Sequence, residues 1–243
     1  MKKKYICILF SLITIHCFAD EVYYPHITIN STTLKPGQVS FQTTPGGSIT
    51  STFLINSLSV GVLQRLEIGT IPIFYLDNRH KYNFNLKWNF YRSKTFRASL
   101  GYTRILFDLS KGDFQGFQNP PTEYTLTYFS LSFNYLFEMI NLQIGFTFNR
   151  AASYANNSAF IYTYKAGDEW AFDIGTEVSE NYRLSFGVGE HQTEIIPTEN
   201  NLFGIGATVT RQKLNNYLSN LGLGLHYIVE DKSFLYLLSA NFR

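Results

Sequence analysis

The sequence predicts an all-β protein of one particular kind, an antiparallel transmembrane β-barrel, and three observations carry that expectation. Apolar and polar residues alternate with period two over many separate segments. Aromatic residues make up 17% of the chain and charged residues only 16%, yet no apolar run is long enough for a helical span. The links between the alternating segments are by turns short and long, as the two ends of an outer-membrane barrel require.

The chain opens on a segment that reads as a removable leader. Lys2, Lys3 and Lys4 precede the apolar run from Tyr5 to Ile15, and Cys17-Phe18-Ala19 supplies a small-residue cleavage pattern with the cut after Ala19. Removing residues 1–19 leaves 243 − 19 = 224 residues, a length compatible with one domain. Cys7 and Cys17 both leave with the leader, so a disulfide framework and a cysteine-based metal site are excluded. Lys+Arg falls from 20 to 17 against 18 acidic residues, which takes the formal charge from +2 to −1. That balance speaks against a nucleic-acid partner, which calls for a clustered basic excess.

The clearest alternation runs from Tyr82 to Phe90, where Tyr82, Phe84, Leu86, Trp88 and Phe90 share one face and Asn83, Asn85, Lys87 and Asn89 the other. A helix would mix these residues; a strand sorts them. Phe96, Ala98, Leu100 and Tyr102 repeat the pattern after the short link Arg92-Ser93-Lys94. Further copies fall at 142–149, 170–178, 182–189 and 221–227. With no helical segment between them, these strands imply a meander closed into a barrel. Between Tyr124 and Phe137 the apolar residues switch from even to odd positions, which predicts one β-bulge near Tyr128. The stretch Ala159 to Lys165 reads either as an extension of the strand that follows or as an arm of an extra hairpin turning at Gly167-Asp168.

Short links are expected at residues 63–65, 92–94, 138–141, 179–181 and 215–216, which places them on the periplasmic side. Longer outer links are expected at 108–122, 150–158 and 189–200, with shorter outer links at 76–80 and 230–233. With a first hairpin at Pro45-Gly46-Gly47 the count is about twelve strands, within an even-numbered range of about ten to fourteen. The barrel domain then covers residues 37–243, and residues 20–36 are read as a periplasmic lead-in, with folding into the lumen as the alternative.

Two stretches resemble known outer-membrane barrels. Phe234, Tyr236, Leu238, Ala240 and Phe242 alternate to the end of the chain and resemble the terminal strand by which such barrels are recognised for assembly, although the last residue is Arg243. Residues 61–70, Gly-Val-Leu-Gln-Arg-Leu-Glu-Ile-Gly-Thr, resemble the Y-G-L-T-D-R-L-E-I-G hairpin of Gram-negative porin-like families, with Gln64 where those have Asp. The resemblance implies a porin-like barrel in the cell outer membrane. Its partners would be outer-membrane lipid, lipopolysaccharide and the barrel-assembly machinery.

Candidate site residues follow from strand parity, which puts Arg65, Glu67, Lys87, Arg97, Asp173, Glu177 and Arg183 on the polar face. They form either a constriction that filters solutes by charge or an ion-paired network that fills a small barrel. Arg104 breaks parity on the apolar face, close to an outer link. His226 is the one histidine placed inward, but no second base or acid is tied to it by spacing, so no catalytic residue is assigned. Glu190, His191 and Glu194 are expected in a solvated outer loop rather than at a metal. Neither the Asn-x-Glu-Pro-Gln stretch of outer-membrane phospholipases nor a phosphate loop is present, and no cofactor is implied. The function read from the sequence is a narrow porin-like channel or a structural envelope component. The alternatives are a barrel hydrolase of lipid or peptide, and a soluble all-β periplasmic protein.

Overall fold

The computed structural model describes residues 31–47, 52–110, 122–156, 161–191, 202–212, 218–228 and 232–242. Among them are twelve strands: β1 Val39–Gly47, β2 Thr52–Leu63, β3 Leu66–Thr70, β4 His80–Arg92, β5 Phe96–Asp108 and β6 Glu123–Phe137, then β7 Leu142–Asn156, β8 Ile161–Ser179, β9 Tyr182–His191, β10 Leu202–Gln212, β11 Leu218–Ile228 and β12 Ser233–Phe242. Each pairs antiparallel with its neighbours in sequence, and β1 pairs with β12, so the sheet closes on itself as a barrel. Closure removes the free edges that an open sheet would leave to pair with other chains.

The period-two pattern explains the two faces. On β4, Leu86, Trp88 and Phe90 stand outward and between 37% and 50% exposed, while Asn83 and Asn89 point inward and are 4% and 1% exposed. On β11, Leu221, Leu223 and Leu225 are exposed and Gly222 and Gly224 buried. Along these strands the barrel is apolar outside and polar or bare within, the inverse of a water-soluble protein.

Two expectations about local structure are corrected. No bulge occurs at Tyr128, because β5 and β6 stay in one register from Asp108↔Glu123 to Phe96↔Tyr135. Instead Tyr124, Leu126 and Tyr128 face the lumen, and Tyr124 and Leu126 pack with Ile105, Phe107 and Ala155 in a buried apolar cluster. The parity switch thus marks a change in what the inner wall touches. The link expected at 76–80 also starts earlier, since β3 is only five residues long and a 3-10 turn at Pro72–Leu76 follows it. Asn83 on the inner wall bonds both N–H and C=O of Ile71, which holds this turn against Phe107 and the cluster. Of the two readings of residues 159–165, the extension is found for the part described: β8 runs unbroken past Gly167 and Asp168, which pair with Ala151 and Arg150 of β7.

The largest departure concerns the lead-in. Residues 31–34, expected in the periplasm, run inside the barrel, where Ser31, Thr32 and Thr33 are 0%, 8% and 8% exposed, while Lys35 and Pro36 are exposed at its edge. The turn Lys35-Pro36-Gly37-Gln38 brings the chain back from the start of β1, with Gln38 N–H donating to Lys35 C=O at 3.0 Å and Gly37 at φ 80°. Proline second and a positive-φ glycine third are what a type II turn demands. The rest of the expected lead-in and the leader lie outside the described residues.

Candidate functional site: the inner wall

The seven charged residues expected on one polar face fall into three settings. Arg65 does not line the wall: it occupies the tight β2–β3 turn at φ 79° and is exposed, its carbonyl accepting from Asn89 N–H. Glu177 is also exposed at the short-turn end and accepts a 2.6 Å bond from Asn141 Nδ2 in the β6–β7 link. Both belong to the barrel's mouth.

Glu67, Lys87 and Arg97 form the second setting. Glu67 and Lys87 face each other across the β3–β4 ladder and make an ion pair of 3.1 Å, with side chains 12% and 19% exposed. The same Glu67 oxygen, Oε2, accepts from Leu34 N–H at 3.1 Å, and Arg97 Nη1 donates to Thr32 Oγ1 at 2.9 Å. These residues are therefore spent on the inserted segment as much as on one another.

Asp173 and Arg183 make up the third, on β8 and β9, and are 0% and 2% exposed. Arg183 Nη2 donates to Gln143 Oε1 at 2.7 Å, and its guanidinium lies over Gly175, where a Cβ would come within 3.1 Å of it. Glycine clears the space the guanidinium needs. A charge this deeply buried must be compensated, because uncompensated burial of an ion costs several kcal/mol.

Reasoning from charge alone missed the amides and hydroxyls that do most of the holding. Ser31 N–H donates to Asn134 Oδ1 at 2.7 Å, Asn89 Nδ2 donates to Ser31 C=O at 2.6 Å, and Ser31 Oγ donates to Ser132 Oγ at 3.1 Å. Alternation had already put Asn89 on the inner face, but nothing in its spacing says that it meets the chain's own N-terminal segment. The Lys35-Pro36-Gly37-Gln38 turn was the available signal. Among the described residues, β9 and β11 place Gly187, Gly189, Gly222 and Gly224 inward beside Arg183 and Ser185.

His226 pairs across the ladders with Gly206 and Leu235, so neither cross-strand neighbour is an acid or a hydroxyl. No group of three or more His, Cys, Asp or Glu that could hold a metal occurs among the described residues. Glu194 and the link around it lie outside the described residues. Arg104 faces outward as expected, its guanidinium carbon 5.9 Å from the centre of the Tyr82 ring, a cation–π arrangement.

No family model matches the sequence. Nor does any curated protein. Solved structures do. The KdgM porin is similar over 84% of this chain and 98% of its own, with a TM-score of 0.48 and 6% identity. The CymD monoaromatic hydrocarbon channel gives 0.42 and 8%, covering 84% of this chain and 86% of its own. The translocator domain of the autotransporter NalP from Neisseria meningitidis gives 0.41 and 9% over the same shares. The likeness is one of barrel architecture and does not extend to activity.

Proposed function

We propose that the protein is an integral outer-membrane barrel that serves as a narrow, porin-like channel and not as an enzyme. The observation that carries membrane insertion is the outward girdle: residues such as Trp88, Phe129, Phe186, Leu223 and Phe234 stand between 48% and 60% exposed around the whole circumference. A soluble monomer seldom exposes a contiguous apolar patch beyond a few hundred Å². Lipid is the solvent that satisfies this face, and the leader expected at 1–19 supplies the export route. What supports a passage is the inner wall, polar near the short turns and carrying glycines at the described inward positions 187, 189, 222 and 224 of β9 and β11. What keeps it narrow is the burial of that wall.

Planar-bilayer recording of the refolded protein tests the channel, with small discrete conductance steps expected. Inserted protein that never gives steps would leave a structural envelope role as the function. Sidedness has its own test. A cysteine replacing Ser110, in the long β5–β6 link, should react with an impermeant reagent on intact cells, while one replacing Met139, 99% exposed in the β6–β7 turn, should not.

A further inference from the structure

The groups that hold residues 31–34 read the chain's backbone more than its side chains. The N–H and C=O of Ser31 are taken by Asn134 and Asn89, and the N–H of Leu34 by Glu67. Gly61 completes the set, its N–H donating to Gln38 C=O at 2.9 Å and its C=O accepting from Gly37 N–H at 2.8 Å. Only glycine permits this approach, since a Cβ on residue 61 would lie 2.1 Å from Lys35 O and 2.7 Å from Leu34 O. The first glycine of the porin-like hairpin therefore has a task here: it is where the inner wall admits another strand of chain.

The site is also incompletely satisfied. Among the described residues, Asn89 Oδ1 and Asn134 Nδ2, the other halves of the two amides, are buried without a hydrogen-bond partner, on residues 1% and 6% exposed. Unpaired buried polar atoms offset part of what the bonds to Ser31 contribute. A permanent structural strut would be expected to satisfy them.

We propose that the inner wall of β2–β6 is a receptor for an extended peptide strand, and that residues 31–34 occupy it as a tethered, releasable stopper. The Pro36-Gly37 turn is the hinge, the Glu67–Lys87 pair and the two amides are the latch, and Gly61 is the seat. The proposal deepens the channel reading and rests on it for its consequence, since release opens the lumen near the short turns. Docking itself is tested without conductance.

In mature protein refolded into vesicles, S31C provides the reporter, and a soluble maleimide measures its access. Labelling should be slow in S31C alone and in S31C with Ser130→Ala, an inward serine whose loss touches no contact to the segment. It should be at least ten-fold faster with Gly61→Ala, and likewise with Asn89→Ala plus Asn134→Ala. Circular dichroism of each variant confirms that the barrel has folded. Equal rates in all four proteins would overturn the proposal. A second variant needs no weakened wall: S31C/S132C should cross-link under mild oxidation, given hydroxyl oxygens 3.1 Å apart in the parent residues. Failure to cross-link in folded protein would equally overturn it. Conductance separates the two readings. Faster labelling with more frequent openings, abolished by the cross-link, supports both. Faster labelling with no conductance in any variant supports the stopper and removes the channel.

Discussion

The two halves of the lumen are filled by opposite chemistry. Towards the short turns the interior is polar, and Asn89, Asn134 and Glu67 bond the backbone of the inserted strand while Ser132 and Arg97 bond its hydroxyls. Towards the long links it is apolar, and Ile105, Phe107, Tyr124 and Leu126 pack against Ile71 and Phe74 of the 3-10 turn. The polar half can exchange its partner for water at little cost. The apolar half cannot, because exposing those side chains forfeits ~25 cal/mol for each Å² uncovered. One end of this barrel is thus held by hydrogen bonds that water can replace, and the other carries a packed apolar cluster that fixes its own loop to the wall.

The comparison is broken most severely at the apolar end. Phe107→Ala empties the centre of the cluster, where the Phe74 ring lies 5.6 Å away edge-on, and should destabilise the barrel by about 3–5 kcal/mol in reversible unfolding from vesicles. A loss under about 1 kcal/mol would mean the cluster is not a packed core. Next comes the outward face. Leu86→Arg should cost about 2–4 kcal/mol as a basic group near the lipid midplane, and the neighbouring Lys87→Gln only about 1 kcal/mol, since the amide can still donate to Glu67. Equal and small effects would remove lipid from the picture and restore the reading as a soluble all-β periplasmic protein.

Asn83 sharpens the comparison, because it is a polar residue serving the apolar end. It accepts from Ile71 N–H and Thr70 Oγ1 and donates to Ile71 C=O. Asn83→Ala should cost about 1–3 kcal/mol through the orphaned backbone groups of Ile71, and should speed hydrogen exchange in residues 71–76 while leaving residues 31–34 protected. Loss of protection at both ends would show that the halves are one unit.

The smallest effect is expected outside the wall, in the turn before β4. The side chain and backbone N–H of Arg79 bond the Asp77 carboxylate and hold its pKa at about 2. A depressed carboxylate contributes stability above its unfolded pKa, and that contribution is lost as pH falls through the folded value. Arg79→Ala should return Asp77 towards 3.8, visible in an NMR titration, with barrel stability unchanged because both groups are solvated.

How much of this was legible depends on what alternation encodes. Period two identifies the wall and its outward face wherever lipid demands apolar residues on one side, as from Tyr82 to Phe90. It cannot say what an inward residue touches. Hence Tyr124, Leu126 and Tyr128 suggested a bulge, when the register was intact and the lumen itself had turned apolar. Arg65 was grouped with Glu67 by parity, although the positive φ of a two-residue turn carries it off the wall. Insertion of residues 31–34 was only the alternative reading of the lead-in, for a different reason. Its Ser-Thr-Thr stretch has no apolar face to bury, and it is held by hydrogen bonds to residues up to 103 positions away.

That inserted segment is also tied to the closure of the barrel. It joins β1 directly through the Lys35–Gln38 turn, and β1 is one side of the seam whose other side is β12. The wall is not closed until those two strands meet. The seam ladder runs from Phe41↔Phe242 to Gly47↔Tyr236 but skips Thr44 and Pro45, and proline has no N–H to give. That stitch of the barrel is therefore interrupted at two residues, and it is the one that ties the inserted thread's own strand into the wall.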